Sequence, residues 1–201
     1  MEQLRITPAE ITGLRGAAVK RYSRKVLGEV PEPLGVYWHN PDVLRTFLAI
    51  NGKTQKWEAC DESLKAFAHM AVASMVGCSF CLDLGYFMAR HEGLDVAKAR
   101  EVPRWRASAA FSPLERDVME YAEAMTATPP TVTDELSARL LGRLGEAALV
   151  ELTAYVALAN FMARANTAFG ITSQGFSDSC GLPPIATPAA SAAPAEPLGV
   201  A

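Results

Sequence analysis

Apolar residues recur at helical spacing along most of this chain, and no window alternates apolar and polar residues for long enough to predict a strand. The punctuation between the periodic segments is that of a helical protein. Thr7-Pro8-Ala9-Glu10 has the form of a capping box with proline at the first helical position, which predicts a helix to about Leu27. Val30-Pro31-Glu32-Pro33 then breaks the chain, and a loop is expected to Asn40. Asn40-Pro41 opens a second helix to about Gly52, and Asp61 caps a third through Val76. A fourth starts at Cys78 and ends at Gly93, a residue suited to a left-handed stop. Asp95 to about Arg106 holds one or two short helices around Pro103. Ser112-Pro113-Leu114-Glu115 is a second capping box, opening a helix to about Thr126. Thr133 caps the next, to about Leu144, and Glu146 to Phe169 is a long last helix stopped by Gly170. The fold class is all-α, a helical bundle in one domain over residues 1–180. An Ala/Pro-rich segment, 181–201, has little to bury and reads as a flexible tail.

The third and last helices are apolar on nearly every face, more than one small domain can cover, so a homo-oligomer is expected. The longest apolar stretch, Ala147 to Ala163, carries Glu151 and Asn160, and reads as a buried helix rather than a membrane span. Met1 to Arg5 leads into no apolar core of a secretory signal, so a cytoplasmic protein is expected. With 201 residues, half of them apolar and a net charge of −3, the chain can bury a sizeable core and offers no nucleic-acid surface. The basic pairs Lys20-Arg21 and Arg24-Lys25 read as a solvated helix face.

The chemistry lies in Cys78-Ser79-Phe80-Cys81. These thiols follow Gly77 and open a helix, where unpaired N–H groups and a partial positive charge favour thiolate. Such a pair can be a redox site, half of a zinc site, or inert. Zinc needs about four ligands, and Cys60, His69, His91 and Cys180 stand alone in the sequence. A reversible Cys78–Cys81 dithiol/disulfide, with no metal and no organic cofactor, is the reading adopted. Neither Cys60 nor Cys180 is expected to take part.

Ser74-Met75-Val76-Gly77-Cys78-Ser79-Phe80-Cys81-Leu82-Asp83-Leu84-Gly85 resembles the core of the carboxymuconolactone decarboxylase superfamily, and within it the alkyl hydroperoxide reductase D-like, peroxidase-related branch. Phe111 to Arg116, Glu151-Leu152-Thr153, Asn160-Phe161, Arg164-Ala165-Asn166 and Phe169-Gly170-Ile171 are similar to its second half. The resemblance implies an all-helical trimer or hexamer whose dithiol reduces hydroperoxides or passes electrons to a partner protein. It also implies a glutamate and a histidine that relay protons to the thiols. Those positions hold Ala66 and Gly85 here, so the family relay is missing.

His69 lies one turn from Ala66, toward the cysteines, and is the candidate replacement as proton acceptor, with Glu62 on the same stripe to orient it. The alternative is a hydrogen-bonded core histidine with no chemical role. An Ala66→Glu, Gly85→His double change is expected to rebuild the family relay. His91 suits a cationic helix end. Glu151, Asn160, Arg164 and Asn166 suit a buried hydrogen-bond network more than an anion site. A decarboxylating lyase on a small lactone acid is the runner-up function, and a non-catalytic helical ligand-binding oligomer the third.

Overall fold

The computed structural model describes residues 4–179 and 181–186. Its helices are α1 (Gly13–Leu27), α2 (Glu32–Tyr37), α3 (Pro41–Thr54), α4 (Glu62–Val76), α5 (Ser79–His91), α6 (Val96–Glu101), α7 (Pro113–Thr126), α8 (Asp134–Phe169) and α9 (Phe176–Ser179), with a 3-10 turn at Val102–Ala107 between α6 and α7. No strand occurs among the described residues.

α4 is the axis of the bundle and packs against α5, α7 and α8. Its hydrophobic residues need no single face: Phe67, Ala68, Met70, Ala71, Val72 and Ala73 are each at most 1% exposed. A helix apolar all round is stable only when surrounded. α7 and α8 supply Val118, Met119, Leu140, Leu152 and Val156 to the same core. A smaller cluster, Ile11, Leu34, Tyr37, Leu44 and Phe47, lies under α2 and α3.

Most starts and stops follow local chemistry. Asp61 accepts from the Ser63 N–H at the head of α4, and Asn40 does the same for Asp42 and Val43 on α3. The Ser112–Glu115 capping box is complete. The break expected between Leu144 and Glu146 is real: Gly145, at φ 77° and ψ 170°, interrupts α8.

Two expectations fail. The Thr7-Pro8 box does not open a helix; α1 starts at Gly13 instead. Segment 5–11 is held by backbone partners elsewhere. Arg5 N donates to Phe169 O at 2.9 Å, Ala9 N donates to Gly35 O at 3.0 Å, and Ile11 is buried. The expected loop at 31–40 contains α2. Pro33 stands in its first turn, where the missing N–H costs nothing, and Leu34, Val36 and Tyr37 are buried by forming it.

The chain also stays attached past the expected tail boundary. Arg100 Nε donates to Pro184 O at 2.6 Å, and Ala186 N donates to Arg100 O at 3.1 Å. Among the described residues one helix, α8, is long and apolar enough by length and composition to cross a membrane, with 33% of that window buried. It packs one stripe against α4 and α7, with Glu151 and Asn160 hydrogen-bonded.

Candidate functional site

Gly77 ends α4 in the left-handed conformation, at φ 79°, where a side chain would be strained. The chain therefore turns sharply enough for Cys78 to cap α5 at once. The Cys78 sulfur accepts from the Cys81 N–H at 3.3 Å, and the two sulfurs are 2.7 Å apart. Both are free thiols, 1% and 4% exposed. A disulfide needs about 2.05 Å, so little movement separates the dithiol from the bridge.

The two thiols are not equivalent. The hydrogen bond from the Cys81 thiol holds Cys78 below the usual thiol range; the Cys81 N–H, the Thr167 hydroxyl and the Phe80 N–H add to this against the cost of burial. Cys81 is pushed far up, because its proton is engaged by Cys78 and its surroundings are dry. These opposite shifts favour ionisation of Cys78 over Cys81. Yet Cys81 is the thiol that lines a cavity of about 400 Å³. The same cavity is lined by Ala66, His69, Gly85 and Asn166.

His69 lies against Gly85. A Cβ added at Gly85 would lie 3.2 Å from His69 Cδ2 and 3.0 Å from Met70 Cγ. The imidazole thus fills the room that a side chain at position 85 would require. Burial lowers the His69 pKa, and a hydrogen bond to the Cys81 carbonyl offsets this in part. A neutral ring with one nitrogen donating to a carbonyl has the other free to accept a proton.

Glu62 does not orient His69. Its carboxylate accepts from Lys65 Nζ at 2.7 Å. Lys65, 1% exposed, also bonds Glu151 at 3.0 Å and the Trp57 carbonyl at 2.6 Å. Glu151 in turn accepts from the Ala59 and Cys60 N–H groups, which ties the loop before α4 onto α8. Cys60 lies in this knot. Burial and Glu151 push its thiol up to about 11, so it stays protonated. Cys180 lies outside the described residues. His91 packs its ring on Phe87 at 4.4 Å. Arg164 donates to the Thr126 carbonyl and Asn160 to the Thr126 hydroxyl, a structural network remote from any anion site.

Two contributors escaped the sequence reading. Asn166, 2% exposed, donates its amide to the Cys81 sulfur at 3.4 Å, while its Oδ1 has no partner among the described residues. Its only sequence signal was a polar residue on an apolar helix. Tyr37, from the unexpected helix α2, has its hydroxyl buried without a partner among the described residues. Burial and then the nearby Cys81 and Cys78 raise it to about 12. Next along α5, Asp83 accepts from the Gly175, Phe176 and Ser177 N–H groups and from the Ser173 and Ser177 hydroxyls. That clamp holds segment 173–177 against α5. No group of three or more His, Cys, Asp or Glu placed to hold a metal converges among the described residues.

The model of the carboxymuconolactone decarboxylase family matches residues 41–124, which span α3 to α7 and include both cysteines. The uncharacterized protein YnjA of Escherichia coli (strain K12) is 34% identical over 153 residues, covering 76% of this chain and 84% of that protein. The chain belongs to the carboxymuconolactone decarboxylase family.

Solved structures of the same fold include the debrominase Bmp8, with a TM-score of 0.75 at 21% identity over 88% of this chain and 96% of that one. A second is the alkylhydroperoxidase AhpD core, an uncharacterized peroxidase-related protein from Ralstonia eutropha JMP134. It has a TM-score of 0.65 at 17% identity over 85% of this chain and 94% of that one. Membership of the carboxymuconolactone decarboxylase family supports an enzyme of peroxidase-related or lyase type.

Proposed function

We propose that this chain is a thiol–disulfide oxidoreductase of the peroxidase-related type, which reduces hydroperoxides or relays electrons to a partner protein. The observation that carries this reading is a pair of free thiols 2.7 Å apart, one of which lines a cavity beside a neutral histidine. Once His69 has taken one of the two thiol protons, the pair holds the other. Moving it from Cys81 to Cys78 leaves thiolate at the cavity wall, and His69 is near enough to the same floor to accept or return a proton. The Cys81 sulfur attacks the distal peroxide oxygen, an S–O bond forms, and the O–O bond breaks. The alcohol leaves with one proton. Cys78 then attacks the sulfenic sulfur, closes the S–S bond and releases water. Two electrons pass from the dithiol to the peroxide. A thiol partner must reduce the bridge before the next turnover.

The lyase reading is less well supported, because among the described residues no lysine or arginine lines the cavity to hold a lactone carboxylate. Removal of halogen from a small aromatic ring is a second reading, favoured by the fold shared with debrominase Bmp8 and by Phe47, Phe80 and Phe161 in the cavity wall. The same dithiol would balance it: aryl bromide and two thiols give the arene, the disulfide, bromide and a proton.

The test is a thiol count with mass spectrometry, before and after one equivalent of organic hydroperoxide. A loss of two hydrogens joining Cys78 to Cys81 is expected, with Cys60 and Cys180 still reduced. Unchanged thiols, or a bridge involving Cys60 or Cys180, overturns the assignment. The protein is further proposed to act as a trimer or hexamer in a reducing, cytoplasmic setting, where a dithiol can be recycled.

A further inference from the structure

The cavity above Cys81 is built asymmetrically. At its floor lie Cys81 and Asn166, 4% and 2% exposed; at its mouth lie Glu62 and Glu92, both exposed. The wall between them is apolar, formed by residues such as Phe80, Leu84, Met88 and Phe161. Its volume of about 400 Å³ far exceeds the ~30 Å³ that one water-sized molecule fills.

The charges in this cavity have one sign. Among the described residues no lysine or arginine lines it. Lys65 stands behind the wall, and its ammonium is taken by Glu62, Glu151 and the Trp57 carbonyl. The Glu92 carboxylate has no hydrogen-bond partner among the described residues: burial and then the Glu62 carboxylate raise its pKa, against the weaker opposing pull of Lys65 and His91. His69 is uncharged near neutral pH, since burial lowers its pKa. A ligand carboxylate entering here would lose its water, meet no lysine or arginine among the described lining residues and face two carboxyl groups. The floor asks for the opposite. Asn166 Oδ1 is an enclosed acceptor with no donor among the described residues, next to the sulfur that faces the cavity. A buried acceptor is costly until a donor reaches it.

We propose that, among the organic hydroperoxides the peroxidase reading already implies, the site selects uncharged ones and excludes those that carry a carboxylate. The proposal rests on the dithiol peroxidase reading above. The peroxide O–H donates to Asn166 Oδ1, which aims the O–O bond at Cys81. The apolar group fills the space below Glu62 and Glu92. Hydrogen peroxide gains nothing from that wall. The redox step is the one already written: sulfur gains the distal oxygen, the alcohol leaves protonated, and Cys78 completes the disulfide with loss of water.

The experiment compares cumene hydroperoxide with its para-carboxylate analogue on the reduced full-length chain at pH 7, following loss of the two thiols. The uncharged hydroperoxide is expected to react at least tenfold faster. In Glu92→Lys the ratio is expected to shrink by tenfold or more toward the carboxylate. Equal rates on the unaltered protein, or a ratio untouched by Glu92→Lys, overturns the proposed selection. If neither hydroperoxide oxidises the dithiol, the peroxidase reading fails. Charge selection is then measured by calorimetry on the Cys78→Ser, Cys81→Ser protein, with cumyl alcohol and its para-carboxylate. At least tenfold tighter binding of the alcohol upholds selection by charge, and equal or reversed affinity overturns it.

Discussion

At position 85, where the resemblance to the family implies a histidine, this chain has glycine, and the imidazole of His69 occupies the room, its Cδ2 3.2 Å from where a Cβ would stand. The swap makes two substitutions interdependent. Gly85→His alone, or with Ala66→Glu, must push a ring into Met70 and His69. Such overpacking costs about 1–3 kcal/mol and is expected to appear as a lowered Tm. The sequence-based double change is therefore corrected to include removal of His69: His69→Ala with Gly85→His recovers most of the lost Tm. His69→Ala by itself is expected to slow alkylation of the reactive thiol by iodoacetamide near neutral pH, because thiolate fraction sets that rate. An unchanged alkylation rate with a lowered Tm makes His69 a packing residue only.

Among the elements, two buried ionic knots hold the site. Lys65 joins α4 to α8 and to the preceding loop, and Asp83 holds segment 173–177 on α5. Lys65→Met leaves Glu151, mostly enclosed, without its cation, and a loss of about 3–5 kcal/mol is expected from chemical denaturation. Asp83→Ala strips five hydrogen bonds to a charged acceptor. A cost of about 3 kcal/mol follows, and a Tm fall of roughly 6–12 °C for a chain of this size.

The signs of the pKa shifts set the acid behaviour. Burial opposes ionisation of Asp83 and Glu151, but their hydrogen bonds win and lower both pKa values. Their stabilisation is present above the ordinary carboxylate range of about 4 and is lost as pH falls through the lower folded values. His69 acts earlier. Its folded pKa lies below the ordinary 6.5, so stability begins to fall as pH drops below that point. Denaturant midpoints measured from pH 8 to 3 are expected to show two declines, the first missing in His69→Ala. For Lys65, burial is outweighed by Glu62 and Glu151, which raise its pKa. That contribution is complete below about 10.5 and is lost only as pH rises through the folded value.

For the molecule as a whole, the apolar surface left uncovered is the notable feature. Leu14 is 93% exposed, Val150 70%, Tyr22 65% and Phe161 49%. Single exposed apolar residues are ordinary, but these lie on α1 and α8, and Tyr22 and Phe161 also rim the cavity. Sedimentation at micromolar concentration is expected to give the mass of a trimer or hexamer. A folded monomer under those conditions contradicts the oligomer expected from the apolar helices.

Local chemistry was legible wherever its range is a few residues. Asp61, Asn40 and Ser112 cap their own helices, Gly77 and Gly170 end theirs with positive φ, and Gly145 breaks α8, because each acts on backbone groups one turn away. The dithiol was legible for the same reason, since three residues at a helix start bring two sulfurs together. The Thr7-Pro8 box misled because backbone partners at Gly35 and Phe169 outbid a local cap. Asn166 reaches Cys81 across 85 positions, and Gln174 accepts from the Glu32 N–H across 142. Such contacts exist only once α4, α5 and α8 are packed. The sequence by itself determined most of the helices, though not α2 or the start of α1, and the thiol pair. Packing alone decided which thiol meets the cavity, that His69 lies over Gly85, and that the mouth carries carboxylates with the nearby lysine turned inward. Those are consequences of how distant helices share volume and charge, and no local pattern encodes them.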